Sequence, residues 1–340
     1  MSQIDDLAGR TVLVTGASGF LGSRTVASLS GQGCAVHALV RKTSRTDHLS
    51  LPGFTIFHGD VADAESMRPA FEGAEYVVHT AADTGGSEEG GKLSTIQGTM
   101  NILALCEQYK VKKLVYISTC NVYGVADYGN DQVVTEESSL ERFPEKRGHY
   151  TNAKLRAEQL VTGVMEKATI PIVCLRPGTI YGPGGDIYTP MIGFSLGNKF
   201  FAVIGNGSFV LPLVYVDNLV EAIMVAMKKS NSTNNIYNVV DPVKVTKREY
   251  MERVVKKIYP DSHTVYIPFT ILKMIVYFQE KLFGAIKRKP LLTSYRLISS
   301  QKPVLYDVTK ICNELAWRPP VSIEAAYENL IRYEEEKKSR

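Results

Sequence analysis

Thr11-Val-Leu-Val-Thr-Gly-Ala-Ser-Gly-Phe-Leu-Gly22 runs a strand, a turn and the start of a helix together without a spare residue. Thr11 to Thr15 is β-branched and apolar, as a buried strand requires. Gly16, Gly19 and Gly22 follow at intervals of three, and helical spacing continues from Phe20 to about Ser30. A pyrophosphate needs backbone N–H groups and the positive end of a helix dipole, and such a turn provides both. Gly16 permits the tight turn, Gly19 lets the backbone approach the phosphates, and Gly22 allows helix to pack closely on strand. Ser18, Phe20 and Leu21 join them as candidate cofactor contacts.

Outward from this turn the chain keeps one rhythm. Ala35–Val40, Phe54–Phe57, Glu75–His79 and Leu114–Ser118 are short apolar runs. Helical spacing separates them, notably over Leu93–Tyr109, where Ile96, Met100, Leu103 and the Ile102–Leu105 neighbourhood predict an apolar stripe. A helix from Tyr150 to about Lys167 feeds Pro171–Leu175, and that run ends at Arg176-Pro177. Repeated strand and helix predict an α/β fold, a Rossmann-type doubly wound parallel sheet covered on both faces. The rhythm breaks at Gly182-Pro183-Gly184-Gly185. The reading therefore divides the chain into a dinucleotide-binding domain, 1–181, and a smaller mixed α/β substrate-binding lobe, 182–340. A strand over Leu213–Val216 and a helix over Asn218–Met227 belong to the part of 210–230 expected to pack back on the first domain. The tail Tyr333–Arg340 reads as a solvated helix end.

Bulk composition excludes several classes. The 340 residues are 44% hydrophobic and 22% charged, ordinary for a globular chain. A net charge of +4 does not suggest a nucleic-acid binder. Five scattered cysteines lack CxxC or His-linked spacing, which predicts no metal, no disulfide frame and a reducing, cytoplasmic compartment. The opening MSQIDDLAGR has no basic start or apolar run of a signal peptide. Ile267–Phe278 (IPFTILKMIVYF) is the most apolar stretch, and Lys273 interrupts it. It is expected to be a buried helix of the second lobe. The alternatives are a wall for an apolar substrate, or a peripheral patch resting on a membrane surface with help from Lys287, Arg288 and Lys289.

Two positions bear on the cofactor. The second strand ends Leu39-Val40-Arg41-Lys42, with no carboxylate to take ribose hydroxyls. Arg41 and Lys42 would instead welcome a 2′-phosphate, so NADP(H) is favoured and NAD is the alternative. Gly59-Asp60-Val61 follows the third strand and can set the Asp60 carboxylate against the adenine amino group.

Tyr150-Thr-Asn-Ala-Lys154 puts a phenol and an ammonium on one helix face. The ammonium is expected to lower the phenol's pKa, so that Tyr150 acts as general acid or base. The same spacing recurs at Tyr109/Lys113, Tyr277/Lys281, Tyr306/Lys310 and Tyr333/Lys337, so it is not diagnostic alone. Position distinguishes Tyr150: it follows a strand that ends in the hydroxyls of Ser118 and Thr119, at the sheet edge where α/β ligands bind. Thr119 is placed to hold a reacting carbonyl, with Ser118 the substitute should the register slip by one.

TGASGFLG, HGDV, HTAAD, YISTCNVYG, YTNAK and LRPGTIYGPGG stand here in the order and spacing of the extended short-chain dehydrogenase/reductase superfamily, which the first 185 or so residues resemble. The resemblance implies a catalytic trio of Thr119, Tyr150 and Lys154 and a phosphate loop at Gly16, Gly19 and Gly22. It also implies an adenine contact at Asp60, a loop beneath the cofactor at Ala81 and Ala82, and a nicotinamide border at Pro177 with Gly178 and Ile180 beside it. A homodimer is expected on the same ground. VLPLVYVDNLVEAI, IPFTILKMIVYF, KRKPLLT and VLYDVTKICNELAWRPPVSIEAA resemble the 3β-hydroxysteroid dehydrogenase, sterol dehydrogenase and dihydroflavonol reductase-like branch.

Departures from the superfamily's patterns narrow the function. Cys120-Asn121 replace the Asp-Glu of sugar dehydratases, Leu211-Pro212 stand where nucleotide-sugar enzymes carry Arg, and Thr95 stands where Asn is usual. Cys120 reads as an ordinary buried thiol. The expected function is alcohol/ketone interconversion on a hydrophobic, steroid-, lipid- or polyketide-like small molecule. A nucleotide-sugar epimerase or reductase is the second reading. A non-catalytic NAD(P)-binding sensor or scaffold is the third.

Overall fold

The computed structural model describes residues 6–47, 49, 53–85 and 87–339. The first five residues, on which the leader reading partly rests, lie outside them. Seven strands form one parallel sheet: β1 (Thr11–Thr15), β2 (Ala35–Val40), β3 (Phe54–His58), β4 (Tyr76–His79), β5 (Lys113–Ile117), β6 (Ile172–Pro177) and β7 (Asn235–Val239). Their spatial order is β7-β6-β5-β4-β1-β2-β3. The chain winds outward in one direction from β1 and in the other from β4, so a topological switch point lies between those two strands. That is where an open α/β sheet leaves a crevice at its carboxyl edge.

Alternation along each strand divides the core in two. Val12 and Val14 face one side with α1 (Phe20–Gly31) and Trp317, and Leu13 faces the other with α2 (Ala64–Phe71). α3 (Gly98–Gln108) and α4 (His149–Lys167) complete the second side, and α5 (Val216–Lys228) completes the first. Both sides being covered explains why the inner strands are mostly apolar on both faces rather than alternating with polar residues. β7 and α5 come from beyond the glycine-proline break at 182, yet both belong to this sheet layer. Beyond them, Gly193–Leu196, Phe200–Ile204 and His263–Ile267 make a small mixed sheet over a cluster that includes Tyr181, Tyr215, Tyr250 and Tyr327.

Two expectations about helix faces need correction. Met100 was placed in the apolar stripe, but it is 46% exposed, while Thr95, Thr99, Ile102, Leu103 and Cys106 are buried. Within α3 the buried face runs through Thr99, Ile102, Leu103 and Cys106, and at 100° per residue Met100 falls beside that face rather than on it. The Ile267–Phe278 stretch is also not a buried helix. Its helix, α6 (Phe269–Ala285), buries Leu272 and Val276 against Ile204 and Leu297 and leaves most of its other apolar side chains in solvent. Among the described residues, no helix is long and apolar enough to cross a membrane.

Candidate active site

Geometry at the glycine turn follows from two close approaches. Gly16 has φ +67°, and a Cβ there would stand 2.9 Å from the Ala81 backbone, so the β1 turn and the loop after β4 lie against each other. A Cβ on Gly22 would stand 2.1 Å from the Gly16 carbonyl oxygen, so α1 can begin this near β1 only with hydrogen at that position. α1 opens on Gly19 with no side-chain cap and no acid in its first turn, which leaves its first N–H groups for an anion.

A cleft of about 680 Å³ runs over the switch point along the carboxyl ends of the strands. The candidate catalytic and cofactor-contacting residues all line it except Lys42. After β2 the chain turns so that the Ser44 N–H reaches the Arg41 carbonyl at 2.9 Å; Arg41 and Ser44 line the wall, and the exposed Lys42 lies outside it. Asp60 also lines the cleft, and one of its carboxylate oxygens accepts the Ala62 N–H at 2.9 Å. The long, continuous shape, the uncapped helix start and the Gly16–Ala81 approach fit a dinucleotide.

At the end of β5 the two candidate hydroxyls have different environments. Ser118 donates to the buried Glu158 carboxylate, which also pairs with Arg176 at 2.6 Å. Ser118 is thereby tied into the scaffold, and the substitute position is accounted for. Thr119 lines the cleft with Tyr150 and accepts the Asn121 N–H at 3.2 Å. Lys154, one turn along α4 from Tyr150, donates to the Ile117 carbonyl at 2.5 Å and lies 4.8 Å over the Tyr116 ring. Burial lowers the Lys154 pKa to about 8, with nearby Cys174 and Glu158 acting in the opposite direction.

The Tyr150 phenol shifts opposite to the sequence expectation. Burial raises its pKa, and the nearby Thr119 hydroxyl offsets this in part. Lys154 makes its hydrogen bond to Ile117, so its charge does not set the phenol's balance. The Tyr150 phenol is consequently protonated at neutral pH. Cys120 lines the cleft too, but it donates to the Arg176 carbonyl at 3.2 Å, and burial pushes its thiol pKa far up.

Several wall residues escaped the sequence reading. From residues beyond 181 the cleft takes Asp186, Met191, Pro212 and Tyr306. Asp186 and Met191 share the loop of residues 182–192, while Pro212 and Tyr306 come from two other short segments, and none of the three carries a periodic signal. Asp186, just after the glycine-proline break, had the clearest cue. Glu158, at the centre of the scaffold, could have been found as an acid on the same helix as Tyr150 and Lys154, at core spacing. Thr95, standing at the unusual crossover position, accepts the Asp83 N–H at 3.0 Å and holds the loop after β4.

A family model described as the NAD dependent epimerase/dehydratase family matches residues 12–239. The 2-alkyl-3-oxoalkanoate reductase of Stenotrophomonas maltophilia is 26% identical, covering 94% of this chain and 98% of that protein. The dTDP-D-glucose 4,6-dehydratase of Dictyostelium discoideum is 26% identical over 75% of this chain, which spans 64% of that protein's length. The 3beta-hydroxysteroid-dehydrogenase/decarboxylase isoform 1 of Arabidopsis thaliana is 26% identical over 80% of this chain and 65% of its own length. Among solved structures, the UDP-glucose 4-epimerase of Thermotoga maritima superposes with a TM-score of 0.74 at 22% identity, covering 96% of this chain and 99% of that one. The dTDP-glucose 4,6-dehydratase of Bacillus anthracis, solved in complex with NAD, superposes with a TM-score of 0.73 at 19% identity, covering 97% and 98%. With the model spanning well over half of its length, this chain belongs to the NAD dependent epimerase/dehydratase family.

Proposed function

We propose that the protein is an NADP(H)-dependent oxidoreductase that interconverts an alcohol and a ketone on a hydrophobic small molecule, with Thr119, Tyr150 and Lys154 at the reacting carbon. The charge of the cleft wall carries this reading. Among the described residues, the Lys and Arg lining it are Arg41 and Lys154, one on each side of the switch point. The chain beyond residue 181 adds Met191, Pro212, Tyr306 and one acid, Asp186. A sugar nucleotide brings a diphosphate that calls for cations beside the substrate, whereas this wall offers apolar surface and a carboxylate. The relative named for reducing a 2-alkyl-3-oxoalkanoate, matched over nearly its whole length, supports the same choice.

A nicotinamide dinucleotide bound along the glycine turn would supply or take up the hydride. This chain's residues handle the oxygen. Thr119 donates to the carbonyl and fixes it beside the phenol. Tyr150, kept protonated by burial, gives the proton as the oxygen gains charge. Lys154 brings a cation within one helical turn to stabilise that charge. At the other end Arg41, with Ser44 beside it and no carboxylate at the close of β2, suits a 2′-phosphate.

Titration with NADPH and with NADH, followed by nicotinamide fluorescence, tests the cofactor, and NADPH turnover over a panel of steroid and long-chain ketones and sugar nucleotides tests the substrate class. The expected result is tighter NADPH binding, a preference abolished in Arg41→Ala, and turnover of apolar ketones alone. Equal or tighter NADH binding would sink the NADP assignment. Activity confined to sugar nucleotides would replace the ketone reading with the epimerase one.

A further inference from the structure

Ile271, Met274, Ile275, Phe278 and Leu282 recur at intervals of three and four along α6 and form one stripe, with Phe278 68% and Leu282 61% exposed. The stripe lies to one side of the face that packs on the body through Leu272 and Val276. Ile286 and Leu291, past the helix end, are exposed as well. Contiguous apolar surface of this kind marks an interaction site. None of these side chains lines the catalytic cleft, which removes α6 as a substrate wall.

Charge identifies the partner. Between residues 267 and 292 there are five Lys and Arg, and the single acid is Glu280. That acid is already engaged, since its carboxylate accepts the Ser294 hydroxyl. Lys281 borders the stripe, with its ammonium 5.5 Å over the Tyr277 ring, so an aromatic and a cation sit together at the edge of the apolar surface. Lys287, Arg288 and Lys289 follow directly where the helix stops. We infer that α6 and this basic turn dock on a bilayer surface containing anionic lipid, the apolar stripe entering the interface and the cations meeting the headgroups. At 17 residues α6 is shorter than a spanning helix, and it fits lying in the plane of the interface. A second copy of the chain is a poorer occupant, because face-to-face pairing would bring two clusters of like charge together.

Flotation of the full chain with phosphatidylcholine vesicles, with and without phosphatidylserine, tests the inference. Three proteins are compared: wild type, Ile275→Ser/Phe278→Ser, and Lys287→Gln/Arg288→Gln/Lys289→Gln. Wild type should float with the phosphatidylserine vesicles. The triple variant should lose on the order of a hundredfold in affinity, and the serine pair should lose binding at any salt concentration. NADPH titration of each variant reports folding at a site these residues do not touch, so failure of the lipid inference and of the catalytic reading are distinguishable. Absence of wild-type binding to phosphatidylserine vesicles, or full binding by the serine pair, would overturn the inference. So would a wild-type dimer that the serine pair converts to monomer, since a second copy would then cover this face.

Discussion

Glu158 lies behind the cleft rather than in it, yet its carboxylate takes the Ser118 hydroxyl, the Arg176 guanidinium and the Cys174 thiol. Arg176 extends the network to the Tyr123 hydroxyl at 2.8 Å. Glu158→Gln would leave the guanidinium buried without its counter-charge, with an expected cost of about 3–5 kcal/mol in urea denaturation. Replacing both partners with apolar residues of similar volume should recover much of that loss. Tyr150→Phe belongs to a different class: turnover is expected to fall by roughly 10²–10⁴ while NADPH affinity holds, because only the proton donor is removed. Lys154 adds a pH signature. With a pKa of about 8 its charge is present below that pH and lost above it, so ketone reduction should decline as pH rises through about 8. Lys154→Met should lower the rate and remove that alkaline limb from the profile.

Among the elements, α1 is the most tightly specified. Since a Cβ on Gly22 would collide with the Gly16 carbonyl, Gly22→Ala must push α1 away from β1 and take the first-turn N–H groups with it. Loss of NADPH binding in the fluorescence titration, with the protein still folded by circular dichroism, is the expected outcome; undiminished binding would argue against an anion site at this turn. The same tightness made the turn readable from sequence, because geometry permits so few residues there. β1 to β6 were legible for a related reason, since strands covered on both faces are mostly apolar. β7 was not, because Asn235 and Asn238 break up its run; the Asn238 side chain is satisfied by Tyr123, at 2.6 Å, rather than by packing. For α3 and α6, periodicity disclosed an apolar face without saying what covers it. Met100 falls beside the buried face of α3 in one case, and among the described residues nothing covers the exposed stripe in the other. The far wall of the cleft stayed hidden because Asp186, Met191, Pro212 and Tyr306 meet only through the tertiary fold.

At the scale of the whole molecule, burying ionisable groups in the sheet layer couples its stability to pH. His79 closes β4, fully enclosed between the Thr15 hydroxyl at 2.7 Å and the Thr99 hydroxyl at 3.3 Å. Burial, assisted by the Lys154 charge, lowers its pKa to about 3, so the folded protein keeps a neutral ring where the unfolded chain takes a proton near pH 6.5. Below that pH the unfolded state binds more protons than the native one. The stabilisation is therefore complete above about 6.5 and drains away as pH falls toward 3, at up to about 1.4 kcal/mol per pH unit. Asp241 opposes this trend. Burial raises its pKa to about 6, so its contribution is present at low pH and is lost as pH rises through that value. The wild-type curve alone mixes the two effects, but a difference separates them. His79→Gln keeps polar atoms for Thr15 and Thr99 and cannot take a proton. Its stability deficit relative to wild type, measured by urea denaturation at steps from pH 7 to pH 4, should shrink steadily on acidification. A deficit that stays constant across that range would mean that the imidazole does not remain neutral in the folded sheet, and that acid sensitivity enters the molecule elsewhere.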